Sequence, residues 1–211
     1  MSTAEKTLPI ALRNFSVHLG ERKLFDIERF EPVPGTSTVI IGATGSGKSV
    51  LLKAMSGLLP AHPFTVGGHM ELHGVPAYVG GSKTSFGNWR KVRAKGITFV
   101  PAETAQAMNP ALSLEQNLKV ICPESRQQIE DRLAQYFSLD FKRYAKMYPD
   151  EVSGGELQRI TLMILLSRKA EVVFLDEPTV NLDRQLRKRF IEFLNSEILG
   201  KDGKTVLMVS H

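Results

Sequence analysis

Cysteine is all but missing from this sequence. A single one, Cys122, excludes an internal disulfide and any zinc site built from several cysteines. No apolar run approaches the ~20 residues that a membrane-spanning helix needs. The start, M-S-T-A-E-K-T-L-P-I, lacks both the basic opening and the apolar core of a secretory signal. Internal repeats, linkers and low-complexity stretches are absent, so the 211 residues suit one domain with room for subdomains. Also absent is the aromatic–basic interleaving of proteins that bind single-stranded nucleic acid. These absences point to a cytoplasmic globular protein without a nucleic-acid partner.

What is present fits that class. The apolar fraction of 42% and the charged fraction of 23% are those of a folded soluble domain. The net charge of +5 is modest. Its densest basic stretches, residues 83–95 and 184–189, read as solvated helix faces rather than as anion-binding patches.

Chemistry is concentrated first in Gly42-Ala43-Thr44-Gly45-Ser46-Gly47-Lys48-Ser49, which spells the phosphate-binding pattern G-x-x-x-x-G-K-[ST]. Glycines let the backbone take turn conformations closed to other residues, so that successive N–H groups converge on phosphate oxygens. The helix that follows points the positive end of its dipole at the same anion. Lys48 is expected to reach the β- and γ-phosphates, and the Ser49 hydroxyl to take one place on Mg²⁺. The flanks agree: the β-branched run Ser37–Ile41 reads as a buried strand and residues 50–58 as a helix. No [NT]-K-x-D base-reading motif follows, which argues against a guanine-nucleotide switch.

Around this loop the chain changes character twice. Residues 10–18 and 23–30 read as short strands, with Pro32, Pro34 and Gly35 turning the chain into the next one. Residues 67–74 alternate polar and apolar between glycines, as one arm of an antiparallel ribbon does. His62, His69 and His73 fall in this region without other metal-type residues, and read as surface strand histidines. Residues 96–100 form another candidate strand. From 101 to 151 the pattern becomes helical. Ser113-Leu114-Glu115-Gln116 and Ser125-Arg126-Gln127-Gln128 both fit a capping box, and Ile129, Leu133, Tyr136 and Phe137 form one apolar helix face.

A second constellation follows. Ser153-Gly154-Gly155 opens a strongly apolar helix, making a second helix N-terminus suited to an anion. The run Val172-Val173-Phe174-Leu175 then reads as a buried strand ending in Asp176-Glu177-Pro178. Asp176 is placed to hold Mg²⁺ through its waters, and Glu177 to act as general base towards an attacking water. Residues 205–209 are one more strand, followed by Ser210 and His211.

With these motifs in this order, the sequence resembles the nucleotide-binding domain of ATP-binding cassette (ABC) proteins over essentially its whole length. Within that family Met108-Asn109-Pro110 and Met147-Tyr148-Pro149 look most like peptide/nickel-type importer ATPases. The resemblance implies an α/β P-loop NTPase with a mixed β-sheet core flanked by helices, an antiparallel β subdomain and an inserted helical subdomain. It implies a single ABC ATPase domain, with 1–100 and 154–211 as nucleotide-binding core and 101–153 as helical subdomain. Two such domains are expected to pair head to tail around two ATP molecules. The phosphate loop, Ser49 and Asp176 of one would hold ATP and Mg²⁺, while Ser153, Gly154, Gly155 and Glu156 of the other cover the γ-phosphate. Glu177 would polarise the water, His211 would contact the γ-phosphate, and Asp183 would sit at the seam.

Three positions depart from the family pattern. Leu19 stands where relatives carry an aromatic residue that stacks on adenine; His18 and Phe15 are the substitutes, with Phe15 the better candidate for the core. Ala102 takes the place of a glutamine, leaving Glu103 or Gln106 to approach the metal. Relatives continue past the histidine, whereas His211 is the last residue, and a carboxylate there would lie near the γ-phosphate. That ending reads as a truncation or as a poorly working histidine, without the usual C-terminal continuation.

The function these features imply is an ATP-binding and ATP-hydrolysing subunit that drives a membrane permease, importing peptides or similar small solutes. Its partners would be a second cassette, identical or paralogous, integral membrane permease subunits and a solute-binding protein. It would lie on the inner face of the cell membrane through the permease. The alternative is a soluble ABC ATPase or a low-turnover nucleotide-dependent regulator.

Overall fold

The computed structural model describes residues 8–83, 86–122 and 126–210. Packing divides the chain into two compact units. The first contains the chain up to Ile97, Ala170–Phe174 and the chain from Lys204. The second contains Thr98–Lys169 and Leu175–Gly203.

In the first unit, strand β1 (Ile10–Leu19) turns Ile10, Leu12, Phe15 and Val17 into the interior. It pairs antiparallel with β2 (Arg22–Phe30), setting Val17 opposite Phe25 and Leu19 opposite Arg22. After β3 (Ser37–Ile41) and helix α1 (Lys48–Met55) the ribbon returns as β4 (Phe64–Leu72), β5 (Val75–Val79) and β6 (Ser82–Lys83). These strands make an antiparallel sheet in the order β2-β1-β4-β5-β6. Helix α2 (Phe86–Lys95) follows. Phe15, Tyr78 and Trp89 meet edge to face in series, with ring centroids 5.9 and 6.0 Å apart. Burial pushes the Tyr78 phenol up to about 12.

The second sheet is made of β3, β9 (Thr205–Ser210), β8 (Val172–Asp176) and β7 (Ile97–Val100), in that order. β3 and β9 run parallel, Ser37 facing Val206 and Ile41 facing Ser210. The β8 residues are all buried, as an interior strand requires. β3 departs from its expected burial. Val39 and Ile41 are 44% and 74% exposed: they share one face of β3, while Thr38 and Ile40 on the other are half-buried, and among the described residues β3 is the edge of the sheet, hydrogen-bonded along β9 alone.

The histidines also divide. His62 and His69 are exposed, but His73 is buried at the β4–β5 turn. Its N–H donates to the Pro9 carbonyl at 3.1 Å, and its Nδ1 lies 3.0 Å from Glu171 Oε2. A turn residue with φ +52 is drawn inward by these two partners, which alternation along a strand does not reveal.

The second unit is helical. A 3₁₀ turn, Thr104–Ala107, leads to α3 (Leu114–Ile121), α4 (Arg126–Phe137) and α5 (Phe141–Tyr144). A second 3₁₀ turn, Pro149–Glu151, precedes α6 (Gly154–Leu166), and α7 (Arg184–Phe193) runs into a π-helix, Leu194–Lys201. Ser113 and Gln116 close the anticipated capping box at the start of α3. The second one, at Ser125, lies outside the described residues. Ile129, Leu133, Tyr136 and Phe137 are buried on one face of α4, but so is Arg132. Its guanidinium lies 3.1 Å from Glu197 and 3.3 Å from Asp202, and 5.6 Å over the Phe193 ring. Lys201 reaches the other Glu197 oxygen at 2.6 Å.

Hydrogen bonds from Lys201 and then from Arg132 hold the Glu197 carboxyl below the ordinary carboxylate range. A depressed carboxyl contributes stability that is in place at neutral pH and is lost as pH falls through its folded value. Glu197→Ala should cost roughly 3 kcal/mol in urea unfolding at pH 7, because it takes a carboxylate from the buried guanidinium. Lys201→Ala, at the exposed rim, should cost far less. The gap between the two variants should narrow in acid; equal losses at pH 7 would contradict the buried pair.

Candidate functional site

The loop between β3 and α1 is shaped by glycine. Gly45 and Gly47 sit at φ +77 and +94, in the region that strains residues with a Cβ. Ser46 N–H closes a turn onto the Ala43 carbonyl at 3.2 Å. Lys48 is 8% exposed and arches back over its own loop, its Nζ donating to the Gly42 and Ala43 carbonyls at 2.7 and 2.9 Å. A Cβ on Gly42 would stand 3.1 Å from Ser46 Oγ and fill the inside of the loop. The loop is therefore a concave backbone surface with an ammonium group folded against it, and α1 begins there without a side-chain cap. That is a fit for phosphate.

Phe25 on β2 lies against this loop, its ring 3.5 Å from where a Gly47 Cβ would be. Leu19 is 39% exposed at the end of β1, paired with Arg22 and Phe64. Phe15 is buried, as anticipated for a core residue. Contact between Phe25 and the loop was not legible in the sequence, because it joins a strand residue to a glycine more than twenty positions away.

In the second unit, Asp176 is buried at the end of β8. Glu177 is half-buried and has φ +47, a left-handed conformation that costs a non-glycine residue about 1–2 kcal/mol. Such strain is retained at sites where the side chain's direction matters. Asp183 has a local task as the N-cap of α7, its carboxylate accepting from Gln185 and Leu186 N–H at 2.8 and 2.9 Å. His211 lies outside the described residues.

Three candidates for the missing glutamine come together. Ala102, Glu103 and Gln106 line a cleft of ≈ 440 Å³ together with Gly154, Gly155, Gln158 and Asn181. The Gln106 amide donates to the Glu103 carboxylate. Gln158, 6% exposed, has no partner for its amide nitrogen, and the buried Thr104 hydroxyl in the same cleft has none either. In the sequence Gln158 belongs to the motif that opens α6, which does not by itself assign it a task.

At the mouth of α6, Gly154 and Gly155 have nothing within 4 Å of where their Cβ atoms would be. Ser153 occupies the N-cap position without capping. Its hydroxyl donates to Glu156 Oε2 at 2.5 Å, and Tyr144 donates to Glu156 Oε1 at 2.7 Å. Arg159 donates to the Gly155 carbonyl at 2.9 Å. In the first unit Ser49 is half-buried near the start of α1, and in the second Asp176 is buried at the end of β8; each by itself is an oxygen ligand of a type that Mg²⁺ takes. Among the described residues no group of three or more His, Cys, Asp and Glu could hold a metal by itself.

A family model described as ABC transporter matches residues 28–180. The chain belongs to the ABC transporter family. It is 32% identical over 162 residues to the metal-staphylopine import system ATP-binding protein CntD of Staphylococcus aureus, covering 73% of this chain and 58% of that protein. It is 27% identical to the peptidoglycan transport ATP-binding protein YejF of Agrobacterium fabrum, covering 86% of this chain and 34% of that protein. The cassette thus spans between about a third and three-fifths of the length of these relatives. Its fold is that of the ATP-binding cassette MJ0796, solved as a dimer bound to ADP and Pi, with a TM-score of 0.75 at 22% identity over 96% of this chain and 88% of that one. A similar likeness holds to cbiO1 from Clostridium perfringens, with a TM-score of 0.72 at 19% identity over 97% and 79% of the two chains. The architecture is accordingly that of an ABC-type P-loop NTPase with antiparallel and parallel sheets and flanking helices.

If the concave loop binds phosphate, Gly47→Ala should weaken tripolyphosphate binding about tenfold or more while the chain still folds, since the new methyl strains the backbone at φ +94. Calorimetric titration that gives the parent affinity for this variant would contradict the cradle.

Proposed function

We propose that this cassette binds and hydrolyses ATP as part of an ABC importer, pairing head to tail with a second cassette. The observation that carries this reading is that α1, entered through Gly47, and α6, whose first two residues are Gly154 and Gly155, both begin with no side-chain cap. Each leaves a helix N-terminus for an anion. One nucleotide would use α1 of one chain and α6 of the other, so that each chain supplies half of two sites.

In this reading the backbone N–H groups of 42–49 and the Lys48 ammonium hold the β- and γ-phosphates. Lys48 exchanges its loop carbonyls for phosphate oxygens, and the nucleoside lies towards β1 and β2, where Leu19 and Phe25 are. Ser49 and Asp176 would hold Mg²⁺, which when bound offsets the charge that develops on the phosphates. Glu177 takes a proton from the attacking water, and its left-handed backbone fixes where the carboxylate points. Ser153, Gly154, Gly155 and Glu156 of the second cassette close over the γ-phosphate, and Asp183 and His211 lie near the seam. ATP favours the closed pair because only there are both its faces bound.

Among the described residues no helix is long and apolar enough to cross a membrane. In this reading the cassette acts on the inner membrane face through permease subunits, with a solute-binding protein supplying the cargo. Relatives are named for nickel, zinc, metal-staphylopine and peptidoglycan transport. These names support a small solute as the cargo, and we take peptides or similar small solutes as its class.

Lys48→Ala should lose tight ATP–Mg²⁺ binding; unchanged nucleotide affinity in that variant would sink the phosphate-loop assignment. Glu177→Gln should still bind ATP, hydrolyse it roughly 10²–10⁴-fold more slowly and accumulate ATP-bound dimers. Wild-type turnover in Glu177→Gln would refute the general-base role.

A further inference from the structure

Ser153-x-x-Glu156 spells a capping box, in which the serine oxygen accepts from the first helical turn. The Ser153 backbone N–H keeps its half of the box by donating to the Glu156 carboxylate, but the serine hydroxyl does something else. The Ser153 hydroxyl gives its proton to one Glu156 oxygen at 2.5 Å, and Tyr144, at the end of α5, gives its phenolic proton to the other at 2.7 Å. These two bonds, Ser153's first, hold the Glu156 carboxyl below the ordinary carboxylate range. The bond to Glu156 in turn raises the Tyr144 phenol. The charged neighbours are Arg159 on the same helix and Arg143 beside the tyrosine.

We propose that Tyr144 is a positioning residue for the anion subsite at the start of α6: by keeping hold of Glu156, it lets the Ser153 hydroxyl leave the carboxylate and turn to an incoming phosphate. The inference rests on the head-to-tail reading above. A serine hydroxyl has one proton. While that proton points at Glu156, the oxygen offers only lone pairs to whatever approaches Gly154 and Gly155. An anion there requires the hydroxyl to rotate, and Glu156 then loses a charge-assisted bond. With Tyr144 in place the carboxylate keeps a strong donor and stays fixed. Without it, Ser153 becomes the main side-chain donor to Glu156 and is held back from the phosphate.

Two substitutions separate this role from packing. Tyr144→Phe makes Ser153 harder to release and weakens anion binding. Glu156→Gln removes the charge that retains the hydroxyl, so in that background there is no grip for Tyr144 to relieve. In the Glu156→Gln background, Tyr144→Phe should have little further effect. A packing role for Tyr144 would persist in both backgrounds.

Two measurements test this on the full chain. Carboxyl NMR should show Glu156 titrating at higher pH in Tyr144→Phe than in the parent. The AMP-PNP concentration for half-maximal pairing, read by light scattering, should rise roughly three- to tenfold in Tyr144→Phe. The same substitution should change it less than about twofold on Glu156→Gln. An unmoved Glu156 titration, or equal losses in the two backgrounds, overturns the proposal. A parent chain that never pairs on AMP-PNP overturns the head-to-tail reading instead, and the titration still decides whether Tyr144 governs Glu156.

Discussion

A helix begins with backbone N–H groups that no carbonyl of its own can receive. Most helices cover them with a serine, threonine, asparagine or aspartate side chain, as Ser113 does for α3 and Asp183 for α7. At α1 and α6 the cap is withheld. A glycine stands at the N-cap of α1 and at the first position of α6, and no side chain caps the free N–H groups of either. Much of the site follows from keeping these two ends open and supplying a charge that can be turned towards an arriving phosphate.

The two ends store that charge differently. At the first, the Lys48 ammonium is parked on the Gly42 and Ala43 carbonyls. At the second, the Ser153 proton is parked on Glu156, which Tyr144 also holds. In each case the group has a partner before ligand arrives; for Lys48, which is buried, that offsets the cost of an unpaired charge. Elsewhere the second unit ties its helices with ions rather than apolar contacts alone: Arg132, Glu197 and Asp202 meet between α4 and the end of the π-helix.

Local chemistry made much of this legible. β-branched runs marked β3, β8 and β9, the apolar stripe marked α4, and Ser113 with Gln116 marked the start of α3. The phosphate loop was readable because glycine and lysine at that spacing have few other uses. Side-chain partners distant in sequence were not readable. Arg132 lies on the buried face of α4 because Glu197, 65 positions on, receives it. His73 is inward because of Glu171, and Phe25 reaches Gly47 from another strand. The β3 strand misled in the other direction, since its apolar residues say what could be buried and not which side of β3 has a neighbour. Ser153-x-x-Glu156 misleads in the same way, because the pattern names both groups and not where the proton goes.

The central claim is that each nucleotide site is shared between two chains. It is tested most directly by mixing two defective chains, Lys48→Ala and Gly154→Asp, and measuring AMP-PNP retained at equilibrium. Each alone should retain little. Random pairing of the two leaves about a quarter of the sites free of both defects, so the mixture should recover about a quarter of the parent's binding. A mixture that retains no more than its separate components would contradict a shared site.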